Sequence, residues 1–139
     1  EKLLKLKDDL QLTNLRFFFF FPKSQMQKII TDTNASIIPL KRLDLFKGAI
    51  PSKIFENLAL KKPIILGVEG EAEELFIKQG KCGVSFTPED SEDLAKQILK
   101  LYNDRTLVAE LGENGLKYVS ENFNRDKIAK EFYSQISNL

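Results

Sequence analysis

The residues best suited to chemistry lie between Gly48 and Glu56, in the run Gly48-Ala49-Ile50-Pro51-Ser52-Lys53-Ile54-Phe55-Glu56. The run reads as a loop feeding a helix opened by Pro-Ser. Gly48 and Ala49 carry little or no side chain, so a ligand can come close to the backbone. Pro51 suits the start of a helix, where a missing N–H costs nothing. Ser52 is the expected N-cap. The N–H groups of Ser52, Lys53 and Ile54 are expected to point out of the helix end and, with the helix dipole, to favour an anion. Lys53 adds a cation able to neutralise a diphosphate. Glu56, one turn on and on roughly the same face, is well placed to accept hydrogen bonds from vicinal ribose hydroxyls. A helix start that binds nothing has the same appearance, with Glu56 favoured only by attraction to the dipole. Spacing alone leaves both readings open.

The surrounding apolar pattern alternates strands with helices. Leu3, Leu4, Leu6, Leu10 and Leu12 fit a helix that fades near Thr13 and Asn14. Residues 15–21, broken only by Arg16, read as a buried strand, and five consecutive phenylalanines there call for cover from the core or a partner domain. Ser24 and Gln27 have capping-box spacing for a helix through Met26, Ile29 and Ile30. Residues 35–40 are the next strand, 41–50 a loop, 52–60 a helix and 63–67 a short apolar strand. A helix over 71–79 follows, with Gly80 in the left-handed cap position, and then a strand over 83–86. Three further helices are introduced by Pro88 to Ser91, by Thr106 and by Asn124. This order, β-α-β-α-β-α-β and then helices, predicts an α/β fold with a Rossmann-like parallel sheet flanked by helices. Ligands bind such sheets at the carboxyl ends of the strands.

With 139 residues the chain is sized for one domain, and 42% hydrophobic against 29% charged residues supplies a packed core. A net charge of +1 disfavours nucleic acid as a partner. The single cysteine, Cys82, excludes an internal disulfide and points to a reducing, cytoplasmic setting. With no histidine there is no Ser-His-Asp or Cys-His triad. No apolar run reaches the length of a membrane span, and the first residues lack a signal-peptide layout. The chain starts without Met, in what reads as mid-helix, and is expected to be part of something longer. Glu69, Glu71, Glu73 and Glu74 form an acidic cluster that a hard cation such as Mg²⁺ could use. Acidic residues at a helix start have a simpler account in the dipole, so no metal and no cofactor are expected. Cys82, Tyr102, Tyr118 and Tyr133 read as packing residues.

Lys47 to Glu56, with its Pro-Ser-Lys-x-Phe-Glu core, and the following Asn57 to Leu66 resemble the donor-site motif of group 1 retaining glycosyltransferases. These are the GT-B enzymes of family GT4, and the likeness is greatest to bacterial members that build surface polysaccharides. It extends outward through Asn14 to Phe17, Pro22 to Met26, Ala35 to Leu40, Gly67 to Leu75 and Gly80 to Val84. The last helices look like that family's C-terminal tail. The resemblance implies that residues 1–139 form one domain from the C-terminal, nucleotide-sugar-binding lobe, with a helical tail over about 88–139. It implies that Glu56 holds the donor ribose. Ser52 and Lys53, with the backbone of Gly48, Pro51 and Ile54, would face the diphosphate. Glu69 and Gly70 would lie near the donor sugar and diphosphate, and Pro39 and Leu40 near the base. No residue is assigned to catalysis itself.

The implied donor is a nucleotide-diphosphate sugar, UDP-linked by family analogy. The acceptor is a glycan or a lipid-linked glycan reached through an N-terminal lobe, and the full-length enzyme is compatible with peripheral membrane association. Without that lobe the chain is expected to bind donor weakly and turn nothing over. Two departures stand out: Gly48 replaces an acidic residue found in many relatives, and Phe19 stands where a glycine is usual. A nucleotide-sugar 2-epimerase on the same two-lobed fold is the second reading, disfavoured by the absence of histidine. A non-enzymatic receiver-like α/β module is the third, since neither Asp32 nor Asp44 directly follows an apolar strand.

Overall fold

The computed structural model describes residues 1–18 and 20–137. At its centre is strand β2 (Ile64–Gly67), flanked by β1 (Ser36–Pro39) and β3 (Gly83–Ser85) in a parallel sheet of order β1-β2-β3. Ser36 lies opposite Ile64 and Pro39 opposite Gly67, while Ile64 faces Gly83 across the second pair. Every residue of β2 is buried. Strand side chains alternate between faces, and each face of β2 has its own core. Ile64 and Leu66 pack with Ile38, Ile54, Leu58, Phe76 and Cys82, and Ile65 packs with Val84, Phe86, Leu101 and Leu111. A strand with no solvent face must be apolar throughout, which is why this segment reads as an unbroken run rather than an alternating one.

Helices supply the cover. The first core takes residues from α3 (Lys53–Ala59) and from α4 (Glu71–Glu73) with its π-helical continuation Glu74–Gln79. The second takes Leu101 of α5 (Ser91–Asn103) and Leu111 of α6 (Arg105–Asn122). Helix α6 also lies against α3, and two glycines set how close it comes. A Cβ on Gly112 would sit 2.3 Å from the carbonyl oxygen of Lys61, and one on Gly115 would sit 2.7 Å from Leu58. Phe55, Phe76, Tyr118 and Phe123 close this side as an aromatic cluster with ring centroids 5.2–6.0 Å apart. Among the described residues no helix is long and apolar enough to cross a membrane.

Several expectations are corrected. Among the described residues three strands form, not four. The described residues of 15–21 adopt no regular structure, and Phe18 and Phe20 are 67% and 83% exposed. A strand needs a ladder partner, and among the described residues this segment has none. Its Phe19 lies outside the described residues. Helix α1 (Lys2–Asp9) stops short of the expected end and buries nothing, leaving Leu3, Leu6 and Leu10 exposed. Helix α2 (Lys23–Thr31) starts two residues early, with Pro22 rather than Ser24 at its N-cap, so Ser24 and Gln27 fall inside its first turns and form no cap. Asp104, not Thr106, caps α6, its carboxylate accepting the Leu107 N–H at 2.8 Å.

Gly80 is right-handed (φ −77°), and Lys81 takes the left-handed conformation at φ 49°. Glycine is required at 80 for space: a Cβ would meet Cys82 Sγ at 2.6 Å and the Tyr118 ring at 2.7 Å. Tyr102 and Tyr133 are exposed rather than packed. Asn124 caps α7 (Arg125–Ser137) as the sequence reading has it, and within the expected Pro88–Ser91 introduction it is Asp90 that caps α5.

Two outcomes follow from this packing. Gly112→Ala should lower stability by about 1–3 kcal/mol in urea denaturation, because overpacking against a backbone carbonyl outweighs the better helix propensity of alanine; a neutral result would mean that α6 is not seated as described. Burial pushes the Cys82 thiol up from 9.0 to about 12. An unfolded thiol ionises near its ordinary value while the folded one stays neutral. This contribution to stability is therefore complete below about pH 9 and is lost as pH rises toward 12. The urea midpoint should fall more steeply across that window in the wild type than in Cys82→Ala, and a thiol reagent at neutral pH should label Cys82 only after unfolding.

Candidate functional site

The loops at the carboxyl ends of the strands are built from few contacts. Leaving β1, the Leu40 N–H donates to the Gly67 carbonyl at 2.9 Å, extending the strand pairing by one residue. The loop then forms a 3-10 turn, Asp44–Phe46, closed by an ion pair of 2.7 Å between Lys47 Nζ and Asp44. The hydrogen bond and charge of Lys47 hold the Asp44 carboxyl below its ordinary range, and Asp44 in turn raises Lys47. Gly48 follows with open space around its α-carbon.

Helix α3 opens with Pro51 half-buried and Ser52 and Lys53 exposed. Ser52 is the N-cap, but its side chain makes no capping bond. The N–H groups of Ser52 and Lys53 have no hydrogen-bond partner among the described residues. The Ile54 N–H, expected to be free, donates to the Pro51 carbonyl at 3.0 Å, and its side chain is fully buried. The helix begins with a tight turn that uses up this third amide.

Glu56 is exposed and lines an open cleft of about 340 Å³ with Lys23, Met26, Gln27, Ile30 and Leu60. Pro39 and Leu40 line a different recess of about 400 Å³, between the ends of β1 and β3, with Lys41, Phe86, Glu89 and Leu94. Neither of these two recesses includes Ser52 or Lys53 in its lining.

What the structure does bring together is the loop at Gly48 and the loop at Gly70. The Glu71 N–H donates to the Lys47 carbonyl at 2.8 Å. Gly70 lies in the left-handed region at φ 92°, and a Cβ there would sit 2.3 Å from that same carbonyl oxygen. Only glycine meets both requirements.

The acidic cluster disperses into separate pairings. Glu69 pairs with Arg42 at 3.3 Å, Glu73 accepts from Ser85 Oγ at 3.1 Å, and Glu74 pairs with Lys78 at 3.3 Å. Among the described residues no group of three acidic, cysteine or histidine side chains could hold a metal ion. Arg42 and Glu89 are the rim residues the sequence reading missed. The Arg42 backbone N–H donates to Glu89 Oε2 at 3.1 Å. The only signal available was the place of Arg42, three residues beyond the end of β1.

Residues 1–118 match the family model described as Glycosyl transferases group 1. The chain belongs to that family, which sets aside the non-enzymatic module. An uncharacterized glycosyltransferase of Methanocaldococcus jannaschii is 28% identical over 115 residues, which are 82% of this chain and 29% of that protein. Among solved structures, HepE of Anabaena in complex with UDP-glucose superposes with a TM-score of 0.80 at 20% identity, over 99% of this chain and 36% of that one. The C-terminal domain of the group 1 glycosyl transferase LpcC of Francisella tularensis gives 0.73 at 16% identity, over 89% of this chain and 62% of that one. The chain thus spans only about a third of the length of the M. jannaschii protein and of HepE. The fold is that of a partial domain shared with these enzymes.

Gly70→Ala should cost about 1–3 kcal/mol in urea denaturation, from a side chain at positive φ and a clash with backbone. The Glu71 amide should lose its protection in hydrogen exchange. Retention of both stability and protection would show that the two loops do not meet as described.

Proposed function

We propose that this chain is the donor-binding part of a retaining glycosyltransferase of family GT4, of the bacterial surface-polysaccharide type. It would form a single domain of the C-terminal lobe, with residues from about 88 onward as its helical tail. The donor is a nucleotide-diphosphate sugar, UDP-linked. The acceptor is a glycan or lipid-linked glycan presented by an N-terminal lobe, at the cytoplasmic face of the membrane in the full-length enzyme. In this reading the free amides of Ser52 and Lys53, the Lys53 ammonium and the backbone at Gly48 and Pro51 face the diphosphate. Glu56 accepts from the ribose hydroxyls, Glu69 and Gly70 flank the donor sugar, and Pro39 and Leu40 lie by the base. The Ile54 amide has no part in it, being already bonded.

The observation that carries the reading is the exposed start of α3, with two amides that have no partner among the described residues and Glu56 on the same helix, in a chain matched to the family over residues 1–118. Such a site works by electrostatics. Fixed N–H dipoles and a lysine stabilise the charge that builds on the leaving diphosphate as the glycosidic bond breaks. The absence of an acid at Gly48 removes one sugar contact and leaves the phosphate contacts untouched.

Calorimetry with UDP tests the reading. Wild type should bind UDP weakly, in the high micromolar to millimolar range, and Glu56→Ala should weaken binding about tenfold, as for one charge-assisted hydrogen bond. Uridine binding should also weaken in Glu56→Ala, because the lost contact is to the ribose, while inorganic pyrophosphate should bind both proteins alike. Equal UDP affinity in the two proteins would remove Glu56 from the site.

A further inference from the structure

The loops following all three strands meet at one residue. Arg42 belongs to the loop after β1. Its backbone N–H is bonded to Glu89 in the loop after β3, and its Nε lies 3.3 Å from Glu69 Oε1 in the loop after β2. Glu89 is held in a left-handed conformation at φ 66°, inside a turn fixed by Asp90 N–H to the Thr87 carbonyl at 3.1 Å and by Thr87 N–H to Asp93 at 2.8 Å. A non-glycine residue at positive φ is costly. Here that conformation accompanies a carboxylate that reaches the Arg42 amide. On the other side, Glu69 immediately precedes Gly70 and Glu71, whose close approach and N–H tie the second loop to Lys47.

We propose that Arg42 is a positioning residue. It fastens the three loops at the carboxyl edge of the sheet, so that Glu69 and Gly70 stay apposed to Lys47 and Gly48. This rests on the donor-site reading only in what the apposition is for. An ion pair with the Arg42 side chain 61% exposed and Glu69 35% exposed adds little to global stability. The same contact, with the Glu71 N–H bond to Lys47, is what ties the rim of this loop beyond the buried Val68, and local opening of that rim draws on few bonds. The effect of losing it is therefore local, at the rim, and not on the melting temperature. The neighbouring Lys47, whose ammonium feels both Glu69 and Arg42, keeps its pairing with Asp44 and does not substitute for the fastening.

The test uses R42A, E69Q, the double variant R42A/E69Q and the exchanged pair R42E/E69R. Hydrogen exchange at the Glu71 amide, read without any ligand, should accelerate about three- to tenfold in each single variant and no further in the double. It should return toward wild type in R42E/E69R, while the melting temperature stays constant throughout. UDP affinity should fall by a similar factor in R42A and in E69Q. An unchanged Glu71 amide in R42A, or additive effects in the double variant, would overturn the proposal. So would tighter UDP binding in E69Q, which would mean that Arg42 contacts phosphate directly and Glu69 only competes for it. If the wild type binds no UDP at all, the donor-site reading fails, and the Glu71 exchange still decides the fastening.

Discussion

Strand β2 has no face to offer solvent, and the rest of the molecule is arranged to satisfy that. Its three side chains point alternately into two cores, Ile64 and Leu66 into one and Ile65 into the other, so both sides of the sheet must be covered at the same place. Short parallel strands cannot be joined by tight turns, and the helices that make the crossovers are the same ones that supply the cover. Helix α6 adds to this by coming close enough to touch the Lys61 carbonyl, a distance only Gly112 permits. With β2 buried and its neighbours in parallel register, the carboxyl ends of all three strands open on the same edge. The loops carrying Arg42, Gly48, Glu69, Gly70 and Glu89 have nowhere else to go.

The parts of this that could be read in the sequence are those set by local chemistry. The run 63–67 is apolar throughout because it is buried on both faces, and Asp90 and Asn124 stand where a helix needs an oxygen for its first amides. The failures share another cause. The phenylalanine run has the composition of a strand, but composition cannot supply a ladder partner, and among the described residues Phe18 and Phe20 face outward. The apolar residues of α1, and Ile128 and Phe132 of α7, likewise record a preference for burial without naming what would provide it. Gly80 shows the ambiguity from the other side. A glycine at a helix end usually signals positive φ, yet this one is there because Cys82 and Tyr118 leave no room for a β-carbon.

The candidate site divides in the same way. Exposure of Ser52, Lys53 and Glu56 followed from their place at the start of a helix. That Ile54 spends its amide on Pro51 depends on how tightly the first turn closes, which spacing does not specify. The contacts among loops were invisible, since Arg42 and Glu89 are 47 positions apart and no periodicity connects them.

The core and the rim also differ in how they are held, and the difference suits the donor site proposed above. Buried strands and helices fix where the loops begin. Val68 and Phe86 still anchor the loops after β2 and β3 in the cores, and beyond them the loops are tied to one another by polar contacts near the surface: a backbone bond from Glu71 to Lys47, an exposed arginine pair, a glutamate accepting one amide. Contacts of that kind are individually weak in water. They set a preferred arrangement without making it permanent. A rim sealed wholly by apolar packing would be more stable and would resist opening, whereas the donor site proposed above would have to release a diphosphate. With the centre of the sheet buried on both faces, the exposed polar contacts at its carboxyl edge are the ones that cost least to break.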